Sequence, residues 1–92
     1  MELEEIKKLV SKFTKIPISK FEGRSKKKNI CYARHLYCKL AIEEGYTLYK
    51  VGAEMGRRNN ATVINSCKKV ENEIELNNLY KKLKDEIYSD RP

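Results

Sequence analysis

Apolar side chains recur every three or four residues along most of the chain, which is the spacing of an amphipathic α-helix. This pattern predicts helices over residues 2–14, 30–44 and 76–88, and Gly45 is placed to end the second of them. The chain has only four Gly and two Pro, and both Pro lie outside the periodic runs. We therefore expect a single all-α domain over residues 1–92.

The connector after the first helix contains Pro17, which disfavours helical backbone at Ile16. We expect the chain to turn here, with Ile16, Ile18 and Phe21 reaching into the core. A basic loop over residues 22–29 then leads into the long helix.

Residues 47–72 combine a short apolar stripe, a turn that contains Gly56, and a longer apolar stripe that starts near Asn60. Thr47 is a suitable N-cap for the first of these two helices. A short helix, a tight glycine turn and a longer helix predict a helix-turn-helix. An ordinary helical hairpin without a role in DNA binding is the alternative.

The outward face of the second helix in this unit is rich in amide and basic side chains, and acidic residues are absent from it until Glu71. Amide groups can pair with adenine edges, Thr and Ala methyl groups can contact thymine, and Lys and Arg can neutralise phosphates. Asn59 and Asn60 are both candidate amides, and Asn60 can offer a donor and an acceptor together to the edge of adenine. The alternative role of Asn60 is to cap the helix N-terminus.

The basic loop holds the densest positive charge, in the run Gly-Arg-Ser-Lys-Lys-Lys-Asn over residues 23–29. Repulsion makes such a run costly without a counter-charge, and the following helix N-terminus also attracts anions. We favour a phosphate clamp or a finger that enters the minor groove. A solvated lysine cluster is the alternative.

Charge is distributed unevenly along the chain. The 92 residues carry a net charge of +7. Residues 1–70 hold sixteen basic and seven acidic side chains, whereas residues 71–92 hold four basic and six acidic ones. A basic body beside a balanced tail favours a polyanionic partner at one face.

Several functional classes are not supported by the sequence. Three Cys and one His fit neither a disulfide framework nor a zinc cluster, so we expect no metal and no other cofactor. A general base with a partner nucleophile is missing, and we do not expect an enzyme. No signal peptide or membrane-spanning run is recognisable, which favours a reduced, cytoplasmic, nucleoid-associated protein.

The residues of the turn and second helix resemble a known signature. Gly-Arg-Arg-Asn-Asn-Ala-Thr-Val at 56–63, followed by Ile-Asn-Ser-Cys-Lys-Lys-Val-Glu at 64–71, is similar to the C-terminal DNA-binding domain (domain IV) of DnaA, the bacterial replication initiator. That family has Gly-Arg-Asp-His-Thr-Thr-Val before a helix with Ala-Cys-Arg/Lys-Lys-Ile/Val. Residues 47–52 resemble its Ser-Leu-Pro-Glu-Ile-Gly, and Arg34-His35 stands where it has Arg-Gln. The likeness covers roughly residues 3–88.

The resemblance implies a small helical bundle of the Trp-repressor type and sequence-specific binding of double-stranded DNA, as at the DnaA boxes of replication origins. In the family the basic loop enters the minor groove and the recognition helix reads the major groove. Carried over, Arg34 would hold a backbone phosphate, as would the helix that starts near Thr47. The candidate DNA-binding residues are Arg24, Lys26, Lys27, Lys28, Arg34, His35, Thr47, Arg58, Asn59, Asn60, Ala61, Thr62, Asn65, Lys68 and Lys69.

Two departures from the family limit what the resemblance implies. Asn59-Asn60-Ala61 replaces Asp-His-Thr, so the recognised sequence is not expected to be the usual DnaA box. No phosphate loop is present, so this chain is expected to contain no nucleotide-binding domain, whether it is an excised domain or a stand-alone protein. A helical adaptor for other proteins and an RNA-binding module on the same scaffold are the competing functions.

Overall fold

The computed structural model describes residues 1–89, so the end of the expected domain, residues 90–92, lies outside the described part. Six α-helices and no strand are found in those 89 residues, which confirms the predicted all-α fold. The helices are α1 (Leu3–Thr14), α2 (Ile18–Glu22), α3 (Lys28–Glu43), α4 (Leu48–Ala53), α5 (Asn60–Asn72) and α6 (Ile74–Tyr88).

The connector after Pro17 forms the five-residue helix α2, where the sequence predicted only a turn. Five residues are too few to display a helical period, so the pattern could not indicate this helix. Its side chains nevertheless pack as expected, because Ile16 and Phe21 are buried and Ile18 is half-buried. α3 and α6 each begin two residues earlier than predicted. Because α2 ends at Glu22 and α3 begins at Lys28, the basic loop is shortened to residues 23–27.

The core is built around α3, which packs against each of the other five helices. Leu36, Tyr37 and Leu40 are fully buried on it, and Cys38 fills a small core position. None of the helices in residues 1–89 is both long and apolar enough to cross a membrane.

The helix-turn-helix is held together by backbone contacts through its turn. The amide of Arg58 donates to the carbonyl of Gly52 at 2.8 Å. A Cβ on Gly52 would lie 2.2 Å from the carbonyl oxygen of Arg58, so only glycine fits where the turn folds back on α4. Gly56 and Arg57 adopt left-handed backbone, with φ of 67° and 59°, and reverse the chain.

The N-cap of α5 is Asn59 and not Asn60. The Asn59 side-chain oxygen accepts from the amide of Thr62 at 2.9 Å and from its hydroxyl at 3.0 Å. Asn60 is the first helical residue and is exposed, and its side chain makes no hydrogen bond within residues 1–89. The capping role considered for Asn60 is therefore wrong.

We expect Asn59→Ala to lower the free energy of unfolding by about 1 kcal/mol, because two donors at the start of α5 lose their acceptor. In a domain of this size that corresponds to a fall in Tm of about 4–8 °C. Asn60→Ala is the matched control and should leave Tm unchanged, as measured by thermal melts followed by circular dichroism. A larger loss for Asn60→Ala would contradict the assignment.

Candidate nucleic-acid interface

A cleft of about 280 Å³ lies between the basic loop and the N-terminal half of α5, with α3 as its floor. It brings together side chains from sequence segments that are more than thirty residues apart. Six of the predicted site residues line it, together with two serines: Arg24, Ser25, Lys26, Arg34, His35, Arg58, Thr62 and Ser66.

The loop lysines do not all face the same surroundings. Lys26 and Lys27 are exposed and form no ion pair in the described chain. Lys28 is the first residue of α3, and its Nζ lies 3.3 Å from the Glu75 carboxylate on α6 and 5.4 Å from the centre of the Tyr32 ring. The hydrogen bond and charge of Glu75 raise the pKa of Lys28. Lys28 is thus directed toward α6 and lies outside the cleft.

Arg34 is buried beneath the loop, with only 7% of its surface exposed. Its Nε donates to the carbonyl of Phe21 at 2.8 Å, and its Nη2 donates to the carbonyls of Gly23 and Ser25 at 3.1 and 3.2 Å. The sequence comparison with the family suggested a phosphate contact for this side chain. In the structure its donors are used by backbone carbonyls of α2 and of the basic loop, and by the sulfur of Cys31.

Arg58 has a similar position on the other side of the loop. Its Nη1 donates to the carbonyls of Glu22 and Met55, and its Nη2 donates to the carbonyl of Gly23. Burial, together with the positive charges of Arg34 and Arg24, lowers the pKa of Arg58. The sequence placed Arg58 among the candidate DNA-binding residues, but most of its guanidinium donors are directed inward.

The remaining predicted residues lie on α5 and at the start of α4. Thr47 caps α4, because its hydroxyl accepts from the amide of Lys50 at 3.1 Å. On α5 the spacing of 61, 65 and 68 places three exposed side chains along one helical face. The predicted site residues that are exposed on α5, here called the α5 surface, are Asn60, Ala61, Thr62, Asn65, Lys68 and Lys69. Lys69 also lies 3.8 Å from Glu73.

His35 joins α3 to α5 within the cleft. Its Nδ1 lies 2.8 Å from the hydroxyl of Ser66, which is itself buried. Burial, and then the positive charges of Lys69 and Arg34, lowers the pKa of His35 to about 4. The imidazole is therefore neutral at neutral pH and contributes no charge to the cleft.

One functional residue was missed by the sequence analysis. Lys7 on α1 is 3% exposed; its Nζ lies 2.6 Å from the Glu22 carboxylate and also donates to the carbonyl of Glu54. A signal was present, because Lys7 is four residues after Leu3 and three before Val10 and so lies on the buried stripe. It was overlooked because lysine is almost never fully buried unless it is paired.

Metal-ligating side chains do not gather at this surface. Within residues 1–89 no group of three or more His, Cys, Asp or Glu is arranged to hold an ion. The chemistry that the cleft and the α5 surface offer is that of cations, amides and hydroxyls on a solvent-facing surface.

The low pKa of His35 makes folding stability depend on pH. Between pH 6.5 and 4 the unfolded chain binds a proton at this histidine that the folded chain does not, so stability falls as the pH falls through this window. We expect the fall in Tm between pH 7 and pH 5 to be smaller for His35→Gln than for the wild-type chain. Equal pH dependence of the two proteins in thermal melts would contradict this.

Comparison with known proteins places these features in a family. The sequence model of the family described as the bacterial DnaA protein helix-turn-helix matches residues 3–70. The chromosomal replication initiator protein DnaA of Spiroplasma citri is 34% identical over 83 residues, which are 87% of this chain and 18% of that protein. The DnaA protein of Mycoplasma capricolum is 33% identical over 86 residues, which are 92% of this chain and 19% of that protein. The DnaA protein of Flavobacterium psychrophilum is 29% identical over 88 residues, which are 92% of this chain and 18% of that protein. The chain thus spans less than a fifth of the length of these relatives, and it belongs to the bacterial DnaA helix-turn-helix family.

Proposed function

We propose that this chain binds double-stranded DNA sequence-specifically, with α5 in the major groove and the basic loop at the adjacent minor groove. The observation that carries the proposal is the cleft between them, because it brings the most basic loop of the chain beside the first turns of α5, where Thr62 lines it and Asn60 is exposed. In a helix-turn-helix the N-terminal residues of the second helix contact base edges while the first helix crosses the backbone.

Electrostatic attraction to phosphates supplies most of the affinity in this proposal. Arg34 and Arg58 are directed inward, and Lys28 is directed toward α6. The five remaining basic residues of the predicted site are exposed: Arg24, Lys26, Lys27, Lys68 and Lys69. Each phosphate that they neutralise releases counterions, so binding weakens as salt rises. This contribution is independent of DNA sequence and holds the protein on the duplex.

Specificity then depends on the exposed side chains of α5. Asn60 is free to offer a donor and an acceptor together, which matches the N6 and N7 edge of adenine. Ala61 and the methyl group of Thr62 suit contact with thymine methyl groups. Because Asn59-Asn60-Ala61 differs from the Asp-His-Thr of the family, we propose a target sequence that differs from the usual DnaA box.

The biological setting follows from the family by analogy. The relatives are named as chromosomal replication initiators. We extend the DNA-binding step alone to this chain, acting on the nucleoid in the cytoplasm, and assign no catalytic role to it.

The decisive experiment is selection of bound duplexes from a random pool by the full chain, followed by sequencing. The proposal requires enrichment of a discrete duplex motif. Binding to single strands with equal affinity would favour the RNA-binding alternative, and the absence of nucleic-acid binding would favour the adaptor.

Binding should also show the salt dependence of about five phosphate contacts, which is a log–log slope near −4.5. Replacing Lys26 and Lys27 together with Ala should reduce the magnitude of this slope by about 1.8, because two contacts are lost. The matched control is Lys81→Ala with Lys82→Ala, which removes the same charge from the exposed surface of α6. Equal effects of the two pairs in salt titrations would show that only net charge matters.

Asn60→Ala should relax one base position of the selected motif, at a cost of about 1–3 kcal/mol of discrimination. Affinity for unrelated duplexes should stay near that of the wild-type chain, because no phosphate contact is removed. Selection with the variant, beside a binding titration on unrelated DNA, checks both expectations. An unchanged motif would remove Asn60 from the residues that read bases.

A further inference from the structure

The base of the basic loop is fastened to the turn of the helix-turn-helix. The carbonyl of Glu22 accepts from Arg58, which also donates to Met55 in the turn and to Gly23 in the loop. The Glu22 side chain pairs with Lys7, and the same ammonium donates to the carbonyl of Glu54 at the end of α4. Two cations therefore bridge the segment 22–23 to the segment 54–58.

The approach of these two segments is close enough to restrict the residue at position 56. A Cβ on Gly56 would lie 2.6 Å from the carbonyl oxygen of Glu22 and 2.8 Å from Nη1 of Arg58. Any side chain here would push the base of the loop away from the turn. The distance between the base of the loop and the turn is thus set by the backbone of Glu22 and Gly56 and by the guanidinium group of Arg58.

The arrangement places like charges side by side. The guanidinium groups of Arg34 and Arg58 both donate to the carbonyl of Gly23, and neither forms an ion pair within residues 1–89. Placing partly desolvated cations together is unfavourable unless hydrogen bonds compensate for it. Here backbone carbonyls of the loop and the turn accept those bonds. The hydrogen bonds of the two guanidinium groups therefore hold the two segments together.

We infer that Arg58 is a positioning residue, which holds the basic loop and the first turn of α5 at one fixed separation so that both contact the duplex at once. The inference rests on the proposed function. It assigns to Arg58 neither a base contact nor a phosphate contact. A loop that is already ordered loses little further freedom on binding, which favours affinity.

Arg58→Lys is the variant that separates these roles, because it keeps the charge but loses the planar fork of donors. If Arg58 positions the loop, the salt slope should fall in magnitude by about 2.7, as though the three loop cations Arg24, Lys26 and Lys27 were absent. If it contacts a phosphate, the slope should remain near that of the wild-type chain. If it reads a base, one position of the selected motif should change while the slope is retained. Either of the last two results overturns the inference.

Arg57→Lys is the matched control. Arg57 is the preceding residue of the same turn, is exposed, and forms no side-chain hydrogen bond or ion pair in the described chain. The same substitution there should leave both the slope and the motif unchanged.

A double-mutant cycle tests the coupling directly. In the wild-type chain, Lys26→Ala with Lys27→Ala should reduce the slope by about 1.8, whereas in Arg58→Lys the same pair should change it little, because the loop no longer meets the duplex. Additive effects would show that Arg58 and the loop act independently and would overturn the inference.

Lys7→Met provides a second variant if Arg58→Lys fails to fold, as judged by circular dichroism. Lys7 is 3% exposed and cannot contact DNA, so a reduced slope in this variant must act through the segment 22–23. A folded Lys7→Met protein with wild-type slope would count against the bridge. If the wild-type chain binds no duplex, the proposed function itself is overturned. If it binds duplex but the effects of Arg58→Lys and of the two loop substitutions on the slope are additive, only the inference about Arg58 is overturned.

Discussion

Two guanidinium groups donate to one carbonyl, that of Gly23, and this contact fixes the basic loop beside the turn that precedes α5. Arg34 reaches this carbonyl from the central helix α3, and Arg58 reaches it from the turn between α4 and α5. The loop, α3 and the turn before α5 are therefore fixed to one another at a single point. Arg34 also donates to the carbonyl of Ser25, so α3 holds the basic loop at a second position.

Much of the fold could be predicted from the sequence because burial has a helical period. The long stripes of α1, α3, α5 and α6 were visible for that reason, and their bounds differ from the expected ones by one or two residues. α2 was not visible because five residues contain hardly more than one turn. Capping was considered at Asn60, but the adjacent Asn59 is the N-cap, since both side chains suit the role and only the backbone decides which one fills it.

The candidate site was predictable as a set of residues but not as an arrangement. Residue type and exposure indicated the loop and the outer face of α5, and both are solvent-facing in the structure. The inward direction of Arg34 and Arg58 could not be predicted, because the partners of both are backbone carbonyls, which leave no mark in the sequence. Lys7 was overlooked for a different reason: it lies on the buried stripe of α1, but a buried lysine needs partners, and these lie 15 and 47 residues away in the sequence.

The free side chains at the outer face of α5 have a consequence for how such a domain can diverge. Ala61 and Asn65 are exposed and bond to nothing else in the described chain, whereas Gly52 and Gly56 are confined by backbone atoms within 3 Å of a Cβ. Replacements at the first two positions leave the scaffold intact, and replacements at the glycines do not. Under the proposed function, a lineage can therefore exchange one target sequence for another through a few surface changes while its stability stays the same.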